Sequence, residues 1–156
     1  MEEAKRDKQY YEEKARELFR EGYNCAQAVL LTFADECGVD KATAARMAQP
    51  LGGGISRLRE VCGAETGLAL AVGLLWGTDD PKDMDTKKAV YQRTQALLKQ
   101  FREDNGSIVC KELLGAQGNS TEPVPSPRTE QSYSKRPCVE LVAYAAGLVA
   151  EMKAEG

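Results

Sequence analysis

Apolar residues in this chain return every three or four positions over most of its length, and no segment alternates at period two. That periodicity predicts an all-α protein, a single-domain multi-helix bundle with a long irregular loop before its last helix. The first helix is expected over about residues 3–21, with Tyr11, Ala15, Leu18 and Phe19 on one face and Gly22 closing it. Asn24 caps a second helix, 25–37, in which Ala26, Leu30 and Phe33 form a buried stripe. Asp40 caps a third, which runs to Gln49 before Pro50 stops it. Beyond Gly52-Gly53-Gly54, a helix from about Leu58 to Trp76 is apolar on most sides and belongs in the middle of the bundle. Its Gly63, Gly67 and Gly73, with Ala64, Ala69 and Ala71, let another backbone come close, either within the monomer or across a homodimer.

Asp80 and Pro81 start a long amphipathic helix to about Asp104, with Val90, Thr94, Leu97, Leu98 and Phe101 at helical spacing, and Asn105-Gly106 ends it. Ser107 caps a short helix that finishes at Gly115. Residues 115–136, with Pro123, Pro125 and Pro127, are irregular, and a loop of that length in a compact domain is mobile or functional. The last helix opens after Pro137, runs to about Met152, and turns Leu141, Ala145, Leu148 and Val149 inward. Trp76 and Tyr91 are expected in the core.

A chain of 156 residues makes one full-sized domain. It buries enough surface to fold without a disulfide or a metal, so its five cysteines need another explanation. A balance of 21 basic against 24 acidic residues, interleaved along the helices, leaves no basic stripe and argues against a nucleic-acid partner. The longest apolar run, Leu68 to Trp76, is about half of the roughly 20 residues a membrane span needs. With a charged N-terminal helix in place of an apolar signal region, the reading is a cytoplasmic protein whose cysteines stay reduced. There is no histidine. Ser-His and Cys-His catalysis, mixed Cys/His zinc sites and histidine-ligated haem are thereby excluded.

Cys25, Cys62, Cys110 and Cys138 each fall at or near the first turn of an expected helix. Helix N-termini offer unpaired N–H groups and a positive dipole end, which favour a thiolate, the form that attacks and that ligates metals. Cys37 stands apart, twelve residues beyond Cys25 on the same expected helix. That is about 18 Å along the axis, too far to join one small site, and Cys37 reads as an apolar filler. No C-x-x-C pair is present. Gly52, Gly53 and Gly54 either hold an anion on backbone N–H groups or make a tight turn that brings backbone near the cysteines. Arg57 and Arg59 either support a thiolate or an anionic partner or, as the more usual case, are solvated surface charges. Glu65, close to Cys62, is expected to pair with an arginine or to carry a proton.

The segments Gly22-Tyr23-Asn24-Cys25-Ala26, Gly52-Gly53-Gly54, Cys62-Gly63-Ala64-Glu65-Thr66-Gly67, Gly106 to Gly115 around Cys110, and Pro137-Cys138 resemble, in order, a redox-active protein family. That family is labelled by its C, GCAxxG, C, C pattern, and the resemblance covers about residues 10–150. In this chain the central motif reads C-G-A-x-x-G. The same module resembles part of the split-Soret cytochromes, which implies that the four cysteines hold a [2Fe–2S] centre, with Gly52, Gly53, Gly54 and Gly63 as the backbone against it. The chain lacks C-x-x-C-H, so no haem is expected. Four thiolates match the ligand count of such a cluster. The expected partner is a redox protein or a small thiol or electron carrier. Two alternatives stay open. One is a dithiol–disulfide oxidoreductase in which Cys25 or Cys62 attacks and a neighbour resolves. The other is a structural zinc site with four cysteine ligands in a helical interaction protein.

Overall fold

The computed structural model describes residues 6–125, 128–129 and 137–155. The architecture is all-α, as the periodicity predicts. Among the described residues seven helices carry it: α1 (Lys8–Arg20), α2 (Cys25–Ala34), α3 (Lys41–Ala48), α4 (Gly63–Trp76), α5 (Met84–Asn105), α6 (Cys110–Leu114) and α7 (Cys138–Glu155). Short helical turns lie at Gln49–Leu51, Gly52–Ile55 and Gly115–Gly118. Among the described residues the one piece of β pairing is an isolated antiparallel bridge between Val61 and Val109.

Helices α2 and α4 form the interior pair. Nearly all of α2 is buried, from Ala26 through Ala34, and α4 buries Ala64, Leu68, Ala71 and Val72. Helix α7 packs on α1, α2 and α4, while α5 lies across α4 and α7. One continuous core joins them, with Phe33, Phe101, Leu68, Val29, Val142 and Val149 among its fully covered side chains. At the far end of the bundle the Tyr11 hydroxyl donates to Glu36, and Lys153 Nζ bonds both, tying α1, the turn after α2, and α7 together.

The caps explain most boundaries. Asn24 and Gln27 form a reciprocal capping box on α2, and Asp40 accepts from the Thr43 N–H to start α3. Helix α1 begins at Lys8 because the Asp7 side chain accepts from the Tyr10 N–H; residues 3–5 of its expected start lie outside the described residues. Helix α2 stops at Ala34, so Cys37 sits in the following turn and not on the helix. The cap of α5 is Asp83, not Asp80, which leaves Pro81 outside the helix. Only Leu97 and Phe101 of its expected inner face are fully buried, and Tyr91 is exposed. Ser107 Oγ accepts from the Val109 N–H and α6 starts at Cys110. The largest correction concerns α4. Residues 58–62 are not helical, because Ile55, Ser56, Arg57 and Arg59 all have positive φ and Val61 pairs with Val109. Of the stretch 115–136 expected to be irregular, Gly115–Gly118 is instead a helical turn, 126–127 and 130–136 fall outside the described residues, and 119–125 and 128–129 are irregular as expected.

Small residues set how closely α4 approaches α2. A Cβ on Gly67 would lie 2.6 Å from the Ala26 carbonyl oxygen and 3.0 Å from Val29 Cβ. Gly73, by contrast, faces open space. Gly67→Ala is therefore expected to destabilise the fold by about 1–3 kcal/mol through overpacking. Gly73→Ala is expected to stabilise it by up to about 1 kcal/mol through helix propensity. Urea unfolding of the two variants beside the parent checks both signs.

Candidate functional site

Each of the four cysteines at a predicted helix start is at one in the structure. Cys25, Cys110 and Cys138 are the first residues of α2, α6 and α7, and Cys62 is the N-cap of α4. All four line one cavity of about 600 Å³, together with Asn24, Gly52, Gly53, Gly63, Arg59 and Leu141. Cys37 does not line it. Its charged neighbours are Glu36, Lys153 and Asp35, at the other end of the bundle.

Two devices bring the thiols together. The first is the α2–α4 contact. A Cβ on Gly63 would lie 3.0 Å from Cys25 Cβ and 3.1 Å from the Ala26 nitrogen, so glycine lets the start of α4 rest closely on the start of α2. The second is a short backbone ladder. The Cys62 N–H donates to the Ile108 carbonyl at 2.7 Å, the Cys110 N–H to Glu60 O at 2.6 Å, and the Lys111 N–H to Arg59 O at 3.3 Å. These bonds flank the Val61–Val109 bridge and hold Cys62 beside Cys110. The glycine loop then folds under this ladder. Gly53 and Gly54 are left-handed, and their carbonyls accept from the Arg59 and Glu60 N–H groups. A Cβ on Gly54 would lie 2.6 Å from Cys110 Cβ. The loop is thus the tight turn that delivers backbone to the cysteines. The ladder has no signal at period two, and sequence reasoning missed it.

The electrostatics reverse one expectation. Cys25 is hydrogen-bonded to Cys138, and this bond, followed by burial and the nearby thiols of Cys62 and Cys110, lifts its pKa well above the ordinary thiol range. Burial lifts Cys62 as well, and the Ala64 N–H that opposes it is the weaker effect. The start of α4 does aim a donor at Cys62, but removal from water outweighs it. Both thiols are therefore neutral at pH 7 and would lose their protons on binding a metal. The five cysteines are not joined in disulfides.

Two charged residues near the site differ from expectation. Arg59 is no surface charge: it is 4% exposed, with Nε on the Ser120 carbonyl at 3.0 Å and Nη1 at 3.7 Å from Cys110 Sγ. Arg57 is half-buried and donates to the Glu122 and Val124 carbonyls. Glu65 is 1% exposed and neither carboxyl oxygen has a partner among the described residues, so the expected arginine pairing is absent. Burial alone pushes its pKa up to about 8. The folded protein thus holds this proton while the unfolded chain releases it at ordinary carboxylate pH. The contribution of Glu65 to stability is full below about pH 4.5 and is lost as pH rises toward 8. Glu65→Gln is expected to remove that slope and to be more stable than the parent at pH 8, as denaturant titrations at pH 5 and pH 8 would measure.

Comparison with curated proteins and with solved structures finds no match. A family model does match, over residues 23–152, and its description is Putative redox-active protein (C_GCAxxG_C_C). That span begins just before Cys25 and ends after Cys138, so all four cavity cysteines lie within it. No described helix is long and apolar enough to cross a membrane. With the match covering most of its length, the chain belongs to the C_GCAxxG_C_C redox-active protein family.

Proposed function

We propose that this chain is an electron-transfer protein whose Cys25, Cys62, Cys110 and Cys138 hold a [2Fe–2S] cluster. The observation that carries the reading is the lining of one cavity by all four thiols. Cys25 is hydrogen-bonded to Cys138, and the backbone ladder joins the segments that carry Cys62 and Cys110. A two-iron cluster takes two thiolates on each iron, so pairs of sulfurs around a space suit it. A single zinc ion would instead draw all four ligands to one point. The donor set also fits, because among the described residues no carboxylate lines the cavity to compete with sulfur.

When bound, such a cluster supplies reversible one-electron transfer. The chain's own residues would set its potential. Arg59 directs an N–H at Cys110 Sγ and stabilises negative charge there. The apolar walls at Leu113, Leu114 and Leu141 exclude water. The electron partner would be a redox protein or a small carrier in a reducing cytoplasm. The Cys25–Cys138 bond favours a second reading. In it the two thiols close to a disulfide, and two electrons and two protons pass to an acceptor disulfide, which is reduced to two thiols.

Anaerobic reconstitution with iron and sulfide decides between them. The expected result is visible absorption and about two irons per chain. Cys→Ser at 25, 62, 110 or 138 is expected to cut iron content at least several-fold, while Cys37→Ser keeps it. Protein that takes up no iron overturns the cluster, and a trapped Cys25–Cys138 disulfide in that protein selects the dithiol reading. A colourless protein with one equivalent of zinc overturns both.

A further inference from the structure

We infer that the cysteine cavity also receives a small organic anion, a carboxylate or similar oxyanion on an apolar body, and that Arg59 recognises it. The inference rests on the redox reading only in taking this cavity as the place of reaction; the anion contacts need no cluster.

Arg59 carries the argument. Its guanidinium is almost wholly buried, yet Nη2 has no hydrogen-bond partner among the described residues. Nε is committed to Ser120 and Nη1 faces Cys110. Leaving a buried charged donor unsatisfied is costly, and natural sites retain such a group where a ligand completes it. The ion pairs among the described residues include neither Arg59 nor Arg128. Arg128 also lines the cavity, bonding the Phe19 and Tyr23 carbonyls with its guanidinium 4.0 Å from the centre of the Phe19 ring. Main-chain carbonyls satisfy its N–H groups without cancelling its charge. Arg57 adds a third cation, and no aspartate or glutamate among the described residues lines the space. The described lining is therefore positive.

Its size and walls define the rest of the ligand. A volume of about 600 Å³ lies within the usual range for small-molecule pockets. Phe19, Leu113, Leu114, Leu141, Pro123 and Pro125 give it apolar walls. Inorganic phosphate would use the arginines and waste those walls, whereas a carboxylate on a hydrocarbon body uses both. If Cys110 ligates a metal, Nη1 serves its sulfur and Nη2 is still left to the anion.

Octanoate and octanamide, which share a body and differ in charge, are the probes. Calorimetric titration of both into the protein, as isolated and after iron–sulfur reconstitution, should show octanoate binding at least ten-fold tighter than octanamide. Arg59→Met should weaken octanoate at least ten-fold and leave octanamide unchanged, and Arg59→Lys should recover part of the loss. If the methionine variant does not fold, the lysine variant and the octanoate-to-octanamide ratio carry the comparison. Equal binding of the two probes, no octanoate binding, or Arg59 variants that bind like the parent would overturn the inference. Visible absorption reports the cluster separately. Octanoate bound by protein that takes up no iron would leave this inference standing and remove the cluster.

Discussion

The rest of the structure depends on the close approach of α4 to α2. Gly63 and Gly67 present no side chain to the Ala26 turn, so two interior helices come nearer than any larger residue would permit. The contact gains the dense packing that a helix without a polar face needs. It also places the start of one helix on the start of another, which is why Cys25 and Cys62 look into the same space. A bundle with ordinary side chains at these two positions would separate the helices and take the two thiols apart.

The other half of the site is held by backbone that is left-handed at four consecutive or near-consecutive non-glycine residues. Ile55 at φ 66° is the most unusual, since β-branched side chains rarely adopt that region. Strain of this kind costs about 1–3 kcal/mol per residue and persists only where surrounding bonds overdetermine the chain. Here they do. The Ser56 N–H and hydroxyl both donate to the Pro50 carbonyl, and the Arg59 and Glu60 N–H groups return to Gly53 and Gly54. The Cys62 and Cys110 N–H groups complete the ladder. The strained turn is what swings Arg59 inward against Cys110 instead of leaving it in solvent.

The helices and the four cysteines were legible in the sequence because both announce themselves locally. Asn24, Asp40 and Gly106 mark helix ends through side-chain caps and a left-handed glycine, and Tyr11, Ala15, Leu18 and Phe19 mark an inner face by spacing alone. What was illegible depends on partners distant in sequence. Nothing near Leu58 says that residues 59–62 will pair with 108–111, so the pattern reads on as helix. Nothing near Arg59 says that its side chain will be roofed by Ser120. The thiol pKa shifts followed the same rule. The dipole at a helix start is a local effect, whereas burial belongs to the whole fold, and burial was the larger of the two.

These features make the cavity electrostatically incomplete as it stands. Cys25 and Cys62 are held neutral by burial and by neighbouring thiols, while the buried Arg59 has no acidic partner among the described residues. Low local dielectric magnifies that imbalance, because a buried charge gains little from solvent. Negative charge entering this space meets two opposing effects at once. It relieves the arginines, and where it comes as thiolate it must overcome the desolvation of sulfur. A metal-bound thiolate and a carboxylate on Nη2 lower the same electrostatic energy by different routes. The protein fold supplies the cations and the dry walls, and what enters the cavity supplies the countercharge.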